Sequence, residues 1–193
     1  EALREAVAVS FNKISVDGDQ STNDSVFVMA NGAAENKKIT KKNDDYYAFL
    51  QVLKKISIYL SRAIVEDGEG ATKFITIKIR GAESEKQADK VARKVANSPL
   101  VKTACFGNDP NWGRILAAIG SSKTEINPEK IVMKVNGQTL FKDGLPAVNE
   151  KEELQGLIDD KEITIEILLN LGEAEIEFWT TDLSYDYIEI NAE

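Results

Sequence analysis

The 193 residues contain no histidine and a single cysteine. Without imidazole, this chain can build neither a Ser-His or Cys-His nucleophile nor a histidine metal site. Its chemistry must come from threonine, serine, lysine, carboxylates or backbone dipoles, or from another chain. Three segments concentrate such groups. Asp17-Gly-Asp-Gln-Ser-Thr-Asn23 alternates oxygen-bearing side chains in the manner of a calcium loop. But Thr22 stands where that loop needs glycine, and Val28 where it needs a bidentate glutamate. The segment therefore reads as a structural turn or one wall of an active site. Asp67-Gly-Glu-Gly-Ala-Thr72 joins a helix to a strand. Its plain reading is a helix C-cap with Gly68 in the left-handed conformation. Glu69, however, lies between two glycines where backbone can approach a ligand closely, and its carboxylate could hold an amine. It is no phosphate loop, because those precede a helix. Phe106-Gly-Asn-Asp-Pro-Asn-Trp-Gly-Arg114 reads either as a helix start anchored by Trp112 or as free amides receptive to an anion. Cys105, with Ala104 and Phe106 beside it and no histidine, reads as a small buried hydrophobe.

The elements that must position these groups follow from periodicity and punctuation. Glu1 to Ile14 has helical spacing but no capping residue ahead of it, as if the chain began inside a helix; a fragment or a processed product is expected. Ser25 to Ala30 is apolar enough for a short buried strand. Asp44 to Val65 is predicted as a long amphipathic helix, with Tyr46, Phe49, Leu50, Leu53, Ile56, Leu60 and Ile64 on its face. Lys73 to Arg80 alternates as a half-buried strand with Ile75, Ile77 and Ile79 on one side. Ser84 and Gln87 form a capping box for a helix that runs to Asn97 and is stopped by Ser98-Pro99. Leu100 to Phe106 reads as a strand, and Asp109 with Pro110 as the start of a helix ended by Gly120.

Beyond a polar linker the pattern changes. Strands flanking Asn136-Gly137 predict a hairpin, Asn149 to Ile158 a short helix, and Glu162 to Leu169 and Ala174 to Thr180 a second hairpin turned at residues 170–173. Tyr185 to Ile190 reads as a last strand returning toward the site. The fold class expected is α/β and α+β together: a layered mixed α/β part over residues 1–123 and a small C-terminal α+β roll over 124–193.

Composition narrows the function classes. The net charge of −8 argues against nucleic acid as the main partner, since phosphate neutralisation needs clustered Lys and Arg. No apolar run approaches the roughly 20 residues of a membrane helix, and no secretory signal is read. The lone cysteine fits a reducing cytoplasm. No metal and no cofactor are expected.

Taken in order along the chain, Ser10 to Asp24, Asp67 to Lys73, Ser98 to Ala104 leading into Asp109 to Leu116, and Tyr185 to Ala192 resemble the ornithine acetyltransferase (glutamate N-acetyltransferase) family of arginine biosynthesis. Each motif alone is weak, but four in register are specific. The resemblance implies a precursor that cleaves itself before a threonine, with alpha and beta chains remaining together, commonly as an alpha2-beta2 heterotetramer. The new N-terminal threonine is the nucleophile, and its own amine can serve as base, which needs no histidine. It takes the acetyl group from N-acetylornithine and passes it to glutamate; some members also accept acetyl-CoA, and the oxyanion is held by groups from the alpha chain. Residue by residue, Glu69 matches the family's substrate-binding glutamate and Asn191 its C-terminal substrate-binding asparagine. The nucleophilic threonine is expected upstream of Glu1 and the last substrate-contacting hydroxyl beyond residue 193, so no catalytic residue is assigned in this chain, Thr22 and Thr103 included. Two other readings remain: a related Thr-nucleophile aminopeptidase or amidase, and a non-catalytic binding module.

Overall fold

The computed structural model describes residues 1–148 and 154–192. A seven-stranded mixed sheet forms its centre, in the order β1-β7-β2-β6-β3-β4-β5. The strands are β1 (Ile14–Ser15), β2 (Phe74–Ala82), β3 (Val132–Val135), β4 (Gln138–Lys142), β5 (Leu145–Pro146), β6 (Glu162–Leu168) and β7 (Ala174–Thr181). The helices are α1 (Ala2–Ala8), α2 (Asp44–Glu66), α3 (Glu85–Ala96), α4 (Pro99–Phe106), α5 (Trp112–Gly120) and α6 (Tyr185–Asn191). The layered mixed α/β class stands. The sheet takes β1 and β2 from before residue 123 and its other strands from after residue 124.

β2 is the axis of the sheet. It pairs parallel with β6 and antiparallel with β7. The expected second hairpin is therefore not a hairpin, because β2 lies between its two strands. The turn crosses over the end of β2, with Leu171 and Gly172 N–H both donating to Gly81 O. The first hairpin, β3 to β4, forms as expected around Asn136 and Gly137, both at positive φ.

Alternation puts Ile75, Ile77 and Ile79 of β2, Ile163, Ile165 and Ile167 of β6, and Phe178 of β7 in the main core. Val91, Ala92 and Val95 of α3 and Ile115 and Ile119 of α5 belong to the same core. The opposite face carries a cross-strand row of alternating charge: Lys134 faces Glu166, which faces Lys78, which faces Glu177. The capping box at α3 holds. Ser84 Oγ accepts from Gln87 N, and Gln87 Oε1 accepts from Glu83 N–H at 2.8 Å.

Several elements differ from expectation, each for a local reason. Ser98 does not merely stop α3. Its hydroxyl accepts from Val101 N and Pro99 takes the first helical position, so Leu100 to Phe106 is helix rather than strand. Val101, Ala104 and Cys105 are buried at helical spacing. The cap of α5 is Asn111, not Asp109. Asn111 Oδ1 accepts from Arg114 N, while Asp109 accepts from the Asn111 amide. The first helix ends at Ala8, where the buried Ser10 hydroxyl donates to Ala6 O, and a 3-10 turn leads into β1. The final strand is the helix α6, capped by Ser184 with Asp186 in its first turn. Ser25 to Ala30 pairs with none of the sheet's strands, and Phe27 and Met29 are 80% and 93% exposed. The first half of the short helix expected over Asn149 to Ile158 lies outside the described residues, and residues 154–158 form turns rather than α-helix.

α2 is present but buries a different face. Leu50, Ser57, Ser61 and Val65 are buried, and the two serines let the helix lie close to the sheet. Phe49, Val52, Ile56 and Tyr59 form an outward seam at 3-4-3 spacing, each at least 45% exposed.

One buried cation closes the edge where α4 meets β7. Lys102 is 3% exposed. Its Nζ donates to Thr180 Oγ1, Thr181 O and Thr181 Oγ1 at 3.1, 2.5 and 3.2 Å. Burial pushes its pKa down from 10.5 to about 8, against the attraction of Asp182. Between those two values the unfolded chain binds the extra proton, so this residue makes stability rise with pH. Burial pushes the Cys105 thiol up from 9.0 to about 12, which lowers stability as pH rises beyond 9.0. In urea unfolding, the stability of wild type minus that of Lys102→Met is expected to become more positive from about pH 7.5 to about pH 9. A signed difference that is flat or becomes more negative across that window contradicts the burial assigned to Lys102.

Candidate functional site

The site begins where α2 ends. Gly68 N–H donates to Val65 O and Ala71 N–H to Gly68 O, turning the chain sharply out of the helix. The left-handed residue is Gly70 rather than the expected Gly68. Gly68 is closely packed, since a Cβ would meet Thr181 Cγ2 at 3.1 Å and Val16 Cγ1 at 3.2 Å. Gly70 has φ +62°, and a Cβ there would strike the Tyr187 amide and lie 2.9 Å from Asp186 C. The two glycines thus sit flush against neighbouring backbone and side chain. Glu69, between them, is exposed.

Asn191 arrives from the far end of the chain. Its Nδ2 donates to Glu69 Oε2 at 2.9 Å and to Tyr187 O at 2.9 Å. The structure therefore brings both residues expected at a substrate site into direct contact, across 122 positions of sequence. They meet at the last turn of a helix rather than along a returning strand.

Topology explains the meeting. β7 lies beside β2, so the chain leaving β7 passes over the loop that enters β2. Asp182, 3% exposed, fastens the two together. Its carboxylate accepts from Thr72 N and Lys73 N at 2.9 Å each and from Thr72 Oγ1 at 2.5 Å. Ser184 Oγ donates to Gly70 O at 2.5 Å. Tyr187 OH donates to Asp17 Oδ2 at 3.1 Å, which reaches the polar loop near the start of the chain. Burial and the Asp17 carboxylate raise the Tyr187 phenol above its usual value. Tyr185 packs edge-on against Phe106, with ring centroids 5.4 Å apart. Lys73 Nζ donates to Asn108 Oδ1 at 2.5 Å. All four recognised segments converge on one corner of the molecule.

The corner presents the exposed carboxylates of Glu69 and Asp17, with the Asn191 amide on Glu69. That set suits an ammonium group with an adjoining polar group to be hydrogen-bonded. The Thr103 hydroxyl is committed to Pro99 O at 2.8 Å, and Thr22 Oγ1 to Asn23 Oδ1. Cys105 is buried with its thiol pushed up to about 12, so it does not supply a thiolate near neutral pH. Trp112 stacks on Phe141 at 5.5 Å and anchors α5 to β4, the plainer of its two readings. Among the described residues, no three metal-capable side chains group together, and no helix is long and apolar enough to cross a membrane.

Asp182, Ser184, Tyr187 and Asp17 as its partner are the residues that sequence reasoning did not assign. Ser184 carried a signal in retrospect, a capping residue directly before an apparent strand. Asp182 carried none, since its partners lie 109 and 110 residues away.

The ArgJ family matches this chain over residues 1–193. The arginine biosynthesis bifunctional protein ArgJ of Bacillus licheniformis is 44% identical over 191 residues, covering 99% of this chain and 47% of that protein. The protein of that name from Staphylococcus epidermidis is 44% identical over 192 residues, covering 100% and 48%. The chain thus spans about half the length of the curated relatives it matches. A crystal structure of the arginine biosynthesis bifunctional protein argJ from Bacillus halodurans superposes with a TM-score of 0.92 at 41% identity, covering 99% of this chain and 90% of that one. Matched along its whole length in sequence and in fold, the chain belongs to the ArgJ family.

Proposed function

We propose that this chain is the beta-chain part of a glutamate N-acetyltransferase that works in the cytoplasm in arginine biosynthesis. The observation that carries the reading is the Glu69–Asn191 contact, an exposed carboxylate and an amide 122 positions apart in sequence, held together at 2.9 Å. Glu69 grips the ammonium of ornithine, and Asn191 orients it. A threonine outside this chain, freed by self-cleavage of the precursor, attacks the acetyl carbonyl of N-acetylornithine. Ornithine leaves with a proton on its amine, and the acetyl group stays on the threonine oxygen. The amine of glutamate then attacks that ester, giving N-acetylglutamate and restoring the hydroxyl. Acetyl-CoA is an alternative acetyl donor for the same intermediate. No metal or cofactor takes part. The oxyanion is held by the alpha chain.

The alpha chain also accounts for the outward seam on α2. Phe49, Val52, Ile56 and Tyr59 make a continuous apolar stripe, and such stripes in water mark interfaces. Its occupant in this reading is the other half of the relatives' length, associated as an alpha2-beta2 heterotetramer.

Two outcomes are expected. In the assembled protein, Glu69→Gln lowers kcat/KM for N-acetylornithine by roughly 10- to 100-fold, the worth of a charged hydrogen bond, while thermal unfolding stays within about 2 °C. Steady-state kinetics at wild-type values remove Glu69 from the substrate site. Ile56→Glu sets a charge in the apolar seam, so the alpha chain should be lost on size-exclusion chromatography of the coexpressed chains. Unchanged mass and stoichiometry contradict the place given to the alpha chain.

A further inference from the structure

We infer that Ser184 is a positioning residue for the substrate grip; this rests on the acetyltransferase reading of Glu69 and Asn191. Ser184 is 3% exposed, and its hydroxyl serves two elements at once. As the cap of α6 it accepts from Tyr187 N at 3.3 Å. As a donor it gives its proton to Gly70 O at 2.5 Å, the carbonyl of the residue after Glu69. One oxygen atom therefore sets the start of the helix that carries Asn191 against the loop that carries Glu69.

The rest of α6 is held by edge packing of Tyr185 on Phe106 and by Tyr187 OH on Asp17, neither of which reaches the Glu69 loop. The helix has seven residues, none of them buried, and Tyr185, Ile188 and Ile190 are each more than half exposed. Isolated helices that short do not persist in water. Its position depends on polar ties and on the flush fit at Gly70, where no Cβ can be accommodated beneath Tyr187 N. Asp182 holds the incoming strand end to Thr72 and Lys73 but acts before the helix begins. Ser184 is the tie that links the helix start itself to the Glu69 turn. Without its donated hydrogen bond, α6 can slide or tilt on the loop while remaining a helix. Asn191, about two turns on, would then leave Glu69.

The two roles separate by substitution. Glycine is a tolerable cap but cannot donate a side-chain hydrogen bond; alanine neither caps nor donates; threonine does both. All are assayed in the full-length assembled protein with N-acetylornithine and glutamate, with Glu69→Gln in parallel. Positioning predicts that Ser184→Gly and Ser184→Ala both raise KM for N-acetylornithine by about three- to tenfold, the worth of one hydrogen bond, with kcat within about twofold. Ser184→Thr restores KM. If Ser184→Gly behaves as wild type and only Ser184→Ala suffers, the residue is a helix cap and nothing more. If both leave KM unchanged while Glu69→Gln raises it, positioning is likewise overturned and the substrate site stands. If Glu69→Gln also leaves KM unchanged, the substrate reading fails, and this inference with it.

Discussion

Asp182 is a buried carboxylate whose oxygens receive three hydrogen bonds from Thr72 and Lys73. Polar side chains are costly to bury without partners, and this one is satisfied by two backbone N–H groups that would otherwise lack partners where the chain enters β2. The contact requires β7 to run antiparallel beside β2, so that the end of one strand meets the beginning of the other. That sheet order in turn requires the crossing turn at residues 170–173 and the close backbone contact at Gly81 and Gly172. Remove the sheet order and Glu69 and Asn191 belong to unrelated surfaces.

Two buried lysines sit on either side of the same strand end. Lys102 Nζ is satisfied by Thr180 and Thr181, and Lys73 Nζ by Asn108 Oδ1 and the carbonyls of Ile158 and Asp160. Neither forms an ion pair within 4.0 Å among the described residues. Both bind oxygens on different elements, so each acts as a rivet between α4 or the β2 entrance and the C-terminal segments. The floor under the Glu69 loop is therefore held by polar groups, while the main core lies further along β2 and β6. This division leaves the carboxylates of Glu69 and Asp17 exposed at the corner.

Much of this was legible from residue order. The β2 alternation, the Ser84 cap and the Asn136-Gly137 turn needed only local rules, whereas Glu69 and Asn191 are singled out through the family resemblance. The failures share a cause. Leu100 to Phe106 and Tyr185 to Ile190 are short apolar stretches in which helix and strand periods cannot be told apart, and the serine ahead of each decides for helix. On α2, apolar content pointed to the wrong face, because Ser57 and Ser61 are buried and the large side chains face outward. Ser25 to Ala30 has the composition of a strand, but no strand of this chain pairs with it. The contacts of Asp182 and Ser184 join residues more than 100 positions apart, which no local pattern encodes.

A double-mutant cycle on Glu69 and Asn191 tests the central claim most directly. Glu69→Gln, Asn191→Ala and the double variant are compared by kcat/KM for N-acetylornithine in the assembled protein. One shared grip on the substrate predicts non-additive losses, with a coupling of at least about 0.5 kcal/mol. Losses that add within about 0.3 kcal/mol would mean that the two residues act independently and that their contact is not the substrate grip.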